Sequence, residues 1–369
     1  MANRSSPLHT VADFIKAGLL DEAQREVAEK IAAIYAVGLS APMAALIDKT
    51  DPDDPIARQF VPNPAELNGH QGERADPIGD QRYSPVEGIV HRYPDRALLK
   101  LLHVCPVYCR FCFRRAVVGP NGPTHLAPEA LSRALLYLAD HPEIWEVILT
   151  GGDPLTLSTR RLADIFSRLS AIRHVKILRL HTRVPVAEPE RITPALTALL
   201  RSSGMSVYVV LHANHPRELT LAARAACARL IDAGIPMLSQ SVLLRGVNDD
   251  IETLTALMRA FVEVRIKPYY LHQLDAAQGT AHFVVPIERG RELMRALRGK
   301  VSGLCQPHYM LDIPGGHGKS PIGPNYLEKL ADGAFEILDY HGQAHVYPPG
   351  TSSEAEGDSP DGPSGGSRE

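Results

Sequence analysis

Residues 97–115, ALLKLLHVCPVYCRFCFRR, decide how the chain is to be read. The apolar run 97–104 has the length and composition of a buried strand, and Pro106 just behind it speaks against a helix starting there. Three cysteines follow, Cys105, Cys109 and Cys112. On a helix their spacing would make a sulfur-lined stripe. After a strand and a proline it makes a loop able to hold a metal or a cluster, and Arg110, Arg114 and Arg115 beside it favour thiolates over inert thiols. Three thiolates without an evident fourth suit an iron–sulfur cluster with one open iron; a zinc site with His103 as fourth ligand is the second reading.

Working outward, strand-like runs recur at 146–151 (EVILTG), 175–182 (VKILRLHT), 205–213 (MSVYVVLHA), 238–244 (LSQSVLL) and 268–274 (PYYLHQL), separated by helical stretches such as PEALSRALLYLADH and IETLTALMRAFVEV. Six β/α units in a row predict a parallel sheet with right-handed crossovers, curled into a partial (β/α)6 TIM-like barrel over 85–325. A doubly wound sheet is the rival topology, which periodicity does not exclude. Residues 1–84 form an N-terminal helical and wrapping segment, with two short helices between 9 and 37. From Asp51 to Pro94 the chain is rich in proline and aspartate and reads as a wrapping connection rather than a packed element. A short C-terminal extension spans 326–347, and the nearly apolar-free stretch 348–369 reads as a disordered tail.

Lys and Arg number 39 against 42 Asp and Glu in 369 residues, a balance without the footprint of a nucleic-acid or membrane-surface binder. A small-molecule partner is expected. No apolar run of membrane-spanning length and no secretory signal is present, so the reading is cytoplasmic. Five cysteines, three of them clustered, suggest metal or redox chemistry rather than a disulfide framework.

A barrel gathers its chemistry at the C-terminal ends of its strands. Cys105 follows the first strand, Gly151, Gly152 and Asp153 the second, His181 and Arg183 the third and His212 the fourth; Gln240 lies in the fifth, and Asp275 ends the sixth. Near the far end stands Asp312–Ser320, DIPGGHGKS. A nucleotide phosphate loop would need glycine at position 313, where this chain has Ile313, a β-branched residue that resists positive φ. Lys319 therefore serves something else.

Together, HRYPDR (91–96), CPVYCRFCFRR, LTGGDPL, QSVLLRGVND, YYLHQLDAAQGTAHF and DIPGGHGKSPIGPNY, in this order, resemble the lysine 2,3-aminomutase family of the radical S-adenosylmethionine superfamily across roughly residues 7–345. The resemblance implies a radical S-adenosylmethionine type of partial barrel. It implies a [4Fe-4S] cluster on Cys105, Cys109 and Cys112, S-adenosylmethionine near Gly151, Gly152, Asp153, His212 and Gln240, and pyridoxal 5′-phosphate carried by Lys319. Arg92, Tyr93 and Arg96 would hold the cofactor phosphate, Arg114 the substrate carboxylate, and Asp275 with Asp312 the distal ammonium of L-lysine. His181, Arg183 and His282 are further candidates for lining the site, without assigned roles.

The implied reaction is an isomerisation: a 5′-deoxyadenosyl radical takes hydrogen from the β-carbon of lysine, and nitrogen migrates from C2 to C3. A flavodoxin or ferredoxin is the implied electron donor. An aminomutase for ornithine and one forming (R)-β-lysine for elongation factor P stay open as alternatives. Relatives with a structural zinc between subunits use a cysteine where this chain has Asp250 and three more near the C-terminus, whereas no cysteine follows Cys305 here. A homodimer or a monomer is then expected in place of a zinc-linked tetramer.

Overall fold

The computed structural model describes residues 6–119 and 124–348. The expected disorder of 349–369 lies outside them. Two compact units divide the chain, one ending at Gly323 and one beginning at Pro324.

The larger unit is built on a nine-stranded sheet in sequence order, from β1 (Ile89–Tyr93) and β2 (Arg96–Leu102) through β3 (Glu146–Gly151), β4 (Ile177–Thr182), β5 (Ser206–His212), β6 (Met237–Val242) and β7 (Lys267–His272) to β8 (His308–Asp312) and β9 (Lys319–Pro321). Strands β2 to β8 run parallel, and β1 and β9 are antiparallel ribbons on the two edges. A doubly wound sheet reverses its strand order at a switch point. This one never reverses, which settles the topology for a singly wound half-barrel.

Along each central strand the side chains alternate. Ile148 and Thr150 of β3, Arg179 and His181 of β4, Tyr208 and His212 of β5 and Gln240 of β6 line an interior cavity. Their neighbours Val147, Leu149, Leu178, Leu180, Val209 and Leu211 join the core beneath the outer helices. Those helices carry matching stripes: Pro128–Asp140 buries Ala130, Leu131, Ala134, Leu135 and Leu138 at three- and four-residue spacing. In Ile251–Glu263 the N-cap is Asp250, whose carboxylate accepts from Thr253 N at 2.8 Å. The position where zinc-binding relatives are expected to carry cysteine is thus a helix cap.

Two parts differ from expectation. The stretch Asp51–Pro94 is partly packed. Asp54 accepts from Ile56 N and Ala57 N and starts a helix, Pro55–Phe60, which places Ile56 and Phe60 in a second core with Phe14, Leu39, Met43 and Val107 and buries Gln59 beside Glu218 and Asn214. Proline at the first helical position and aspartate as its cap explain why a Pro/Asp-rich composition gave a helix rather than a loose connection. Second, β1, β8 and β9 were not foreseen as strands, since HRYPDR and DIPGGHGKS read as ligand motifs. Both are tight antiparallel turns, pairing Tyr93 with Arg96 and Asp312 with Lys319.

The smaller unit is a three-stranded antiparallel sheet, β10 (Leu327–Lys329), β11 (Phe335–Leu338) and β12 (Ala344–Tyr347). Among the described residues no helix is long and apolar enough to cross a membrane.

Candidate active site

One cavity of about 620 Å³ occupies the half-barrel, and every residue assigned above to cluster, cofactor or substrate lies on its wall: Cys105, Cys109, Cys112, Arg92, Tyr93, Arg96, Arg114, Gly151, Gly152, Asp153, His212, Gln240, Asp275, Asp312 and Lys319. His181 and Arg183 line it too. His282 does not, and instead feels the charges of Glu66, Arg115 and Arg110.

The cysteine loop is not helical, so the sulfur-stripe reading falls. Its backbone is tied to the N-terminal layer by Tyr108 N to Gly38 O (2.9 Å) and Arg110 N to Gln59 O (2.8 Å). From the other side Gly152 N donates to Leu102 O (2.6 Å) and Asp153 N to Val104 O (3.0 Å). A Cβ on Gly152 would stand 2.2 Å from Val104 O, so glycine is required for this approach alone. Asp153 uses its carboxylate to accept from Thr182 Oγ1 (2.7 Å), Arg183 N (2.7 Å) and Leu155 N (3.1 Å), which locks the ends of β3 and β4 together.

The arginines act on the thiols in the expected direction, Arg114 and Arg115 lowering Cys112 and Arg110 lowering Cys109, but burial outweighs them. Burial pushes all three thiols up, Cys109 to about 11, with Arg183 as the main opposing influence there. Arg110 and Arg115 are both committed to Glu66, a buried carboxylate that takes Arg110 Nη2 at 2.5 Å and also pairs with Arg115. Arg183 in turn is paired with Glu218 at 2.9 Å.

Three half-buried cysteines facing one cavity suit a cluster. Zinc would gather its donors around a single ion. His103, the fourth ligand such a site would need, lines a different cavity with Lys100 and Arg115.

Across the cavity, the turn between β8 and β9 presents Lys319. Its Nζ is ion-paired with Asp312 Oδ2, and its backbone N–H donates to Tyr93 Oη at 2.7 Å. That second bond joins the two edge ribbons, β1 and β9. Arg96 stacks over the Tyr93 ring at 3.8 Å. Arg92 Nη2 donates to Ile78 O at 2.6 Å, while its buried Nε has no protein partner.

Asp275 Oδ1, Asp312 Oδ1, His181 Nε2 and His212 Nε2 are likewise buried without protein partners. Burial and then the neighbouring Asp312 push Asp275 up to about 7, and burial followed by the Arg183 and Arg114 charges pushes His212 down to about 3. Unmatched buried acceptors and donors are costly unless a ligand meets them. Arginines without a full set of acceptors beside an amine suit a phosphorylated aldehyde, so the residues present are compatible with pyridoxal phosphate.

Sequence reasoning missed Asp80 and Glu66. Asp80 is buried, accepts from Arg114 Nε (3.0 Å) and Nη2 (2.8 Å), and stands 3.4 Å from Arg92 Nη2. Burial alone would push it up, but Arg114 above all holds it below the usual carboxylate range. Both acids sit in the Pro/Asp-rich stretch taken for a connection, where nothing local distinguishes them from turn formers.

Residues 99–258 match the Radical SAM superfamily and residues 294–360 match Lysine-2,3-aminomutase. The chain is 40% identical over 302 residues to L-lysine 2,3-aminomutase of Clostridium subterminale, covering 82% of this chain and 72% of that one. It is 40% identical over 276 residues to L-lysine 2,3-aminomutase of Escherichia coli (75% and 80% covered). Against glutamate 2,3-aminomutase of Clostridioides difficile it is 36% identical over 327 residues (89% and 76% covered). With the half-barrel, the three cavity-facing cysteines and these relatives taken together, the chain belongs to the lysine 2,3-aminomutase family of radical S-adenosylmethionine proteins and is an aminomutase, an isomerase of a small-molecule substrate.

Proposed function

We propose that the substrate is L-lysine and that the enzyme interconverts it with β-lysine, using a [4Fe-4S] cluster, S-adenosylmethionine and pyridoxal phosphate. One observation carries the substrate reading: Asp275 and Asp312, on the wall of the cavity that also carries Arg114, each have a buried oxygen without a protein partner. An amino acid with a carboxylate at one end and an ammonium at the other matches that polarity. Two carboxylates around a single buried cation are stabilising only when the cation is there. L-Glutamate would bring a third carboxylate to the pair.

When bound, the cluster with S-adenosylmethionine supplies hydrogen abstraction, and pyridoxal phosphate supplies the carbonyl carbon that takes up the migrating amino group. The protein's residues supply position. Cys105, Cys109 and Cys112 would hold the cluster; Gly151, Gly152, Asp153, His212 and Gln240 border the S-adenosylmethionine region; Lys319 anchors the aldehyde; Arg92, Tyr93 and Arg96 hold the phosphate. His181 and His212, whose charged forms are disfavoured by burial, are neutral at physiological pH and do not repel the substrate ammonium.

Ornithine, one methylene shorter, satisfies the same charges, and either enantiomer of β-lysine satisfies the same scheme. We further propose a cytoplasmic enzyme reduced by a flavodoxin or ferredoxin, as a homodimer. The deciding experiment is anaerobic turnover of the reconstituted enzyme with L-lysine, L-ornithine and L-glutamate in parallel, followed by chiral analysis. β-Lysine as the main product supports the reading. Product from glutamate at an equal or higher rate overturns it.

A further inference from the structure

The Pro/Asp-rich segment does more than cross the barrel mouth. Glu73 accepts backbone N–H bonds from Gly279 (3.2 Å), Thr280 (3.3 Å) and Ala281 (3.1 Å), and Arg74 N donates to Ala276 O at 2.8 Å, next to Asp275. Further on, a Cβ at Gly79 would stand 2.8 Å from Gly315 C and Gly316 N, and one at Gly316 would stand 2.5 Å from the Tyr83 ring. The segment is therefore pressed backbone to backbone against the turn that carries Lys319. From this fixed platform Asp80 extends into the cavity, its own N–H held by Asp76 Oδ1 at 2.9 Å.

Asp80 meets its arginines in a particular way. Arg114 presents its side edge, Nε and Nη2, to the single oxygen Oδ2. A guanidinium has a second, end-on edge, and Arg114 Nη1 on that edge makes only a 3.4 Å contact to Thr150 Oγ1. The other Asp80 oxygen faces Arg92. One buried carboxylate thus sits between the arginine read as the substrate-carboxylate ligand and the arginine read as the phosphate ligand. Lys100 adds a third positive charge nearby.

We propose that Asp80 is a positioning residue of the aminomutase: it holds Arg114 side-on so that the end-on fork is free for the α-carboxylate of the amino-acid substrate, and it steadies Arg92 toward the cofactor phosphate. The inference rests on the ligand reading given under Proposed function. Its distinctive consequence is coupling, because one substitution disturbs two ligand sites and spares a third, that of S-adenosylmethionine.

The test uses cluster-loaded Asp80→Asn and Asp80→Glu. Pyridoxal phosphate affinity is read by absorbance titration of the resolved enzyme, lysine affinity by the spectral change it causes in the pyridoxal-loaded enzyme, and S-adenosylmethionine affinity by equilibrium binding. Asp80→Asn should weaken both lysine and pyridoxal phosphate roughly tenfold or more, leave S-adenosylmethionine within about twofold and change Tm by only a few degrees. Asp80→Glu, which keeps the charge, should recover part of each loss. In a cycle with Arg114→Ala, the lysine losses should be less than additive.

Unchanged titrations in Asp80→Asn overturn the proposal. So do equal losses for all three ligands with a large fall in Tm, which would mark a role in the fold alone, and fully additive losses with Arg114→Ala. If Arg92→Ala and Arg114→Ala also leave pyridoxal phosphate and lysine affinities untouched, the ligand reading itself is overturned along with the proposal. If those two variants show their losses and Asp80→Asn does not, the inference alone fails.

Discussion

Asp312 and Lys319 face each other across the first pair of the β8–β9 ribbon, and their side chains form an ion pair inside the cavity. The residue read as anchoring the aldehyde and one of the two read as holding the substrate ammonium are therefore partners before any ligand arrives. Asp312 has a second oxygen, buried and unpartnered, to offer a substrate cation. Lys319→Ala should abolish the borohydride-trapped pyridoxal adduct and leave iron content unchanged. A trapped adduct that persists in the variant would assign the linkage to another lysine.

Asp312→Asn keeps the ribbon and removes the charge. Lysine affinity should fall roughly tenfold or more, as for loss of one partner of a buried charge pair, while the borohydride-trapped adduct at Lys319 still forms. Measuring both on the same preparation separates a substrate role from a cofactor role. A variant that loses the adduct but still binds lysine normally would refute the assignment.

Asp275 gives a pH prediction with a definite sign. Its carboxyl is raised in the folded protein from an ordinary 3.8 to about 7. Between those values the native state holds a proton that the unfolded chain has lost, so this group's contribution to stability falls as pH rises from about 4 to 7. Binding of a cation favours the charged form, and lysine should bind more tightly as pH rises toward and through 7, releasing a proton below that point. Asp275→Asn should flatten this part of the pH profile of lysine affinity. An unchanged slope in the variant would rule Asp275 out as its origin.

Gly152 offers a steric test. Alanine there would place a methyl 2.2 Å from Val104 O, and since the obstacle is backbone the cysteine loop must move. We expect a loss of about 1–3 kcal/mol, the usual range for forcing an extra methyl into a packed site. Iron content after reconstitution should fall as well. Normal iron content and an unchanged Tm would show that the loop is looser than its hydrogen bonds indicate.

Glu66 should prove structural. It is enclosed by Arg110 and Arg115; burial disfavours its charge, yet those two cations keep it below the ordinary range. Glu66→Gln leaves two buried guanidiniums short of a counter-charge and should cost about 3–5 kcal/mol, seen as a lower denaturant midpoint.

Most of the cavity wall was legible in the sequence because it lies in short motifs with fixed spacing: the cysteine triplet, the glycine pair and the Lys319 turn all sit on one cavity. The parallel strands were legible for a different reason, as apolar runs long enough to stand out between amphipathic helices. Strand β8 escaped because His308–Asp312 is short and runs directly into the glycine-rich turn at 314–319, and β1 because a Pro/Asp-rich approach masks Ile89–Tyr93. Asp80 and Glu66 escaped for a physical reason. Their importance depends on arginines 34 and 44 residues away, and only the folded chain brings the pairs together.

The hydrogen bond from Lys319 N to Tyr93 Oη has one more consequence. Strands β2 to β8 are knit by parallel ladders, whereas the two edge ribbons share no ladder and meet at this point through the Tyr93 hydroxyl. The contact ties the two edges of the sheet together beside Lys319. Amide exchange at Lys319 is therefore a direct gauge of how often this contact between the two edges opens.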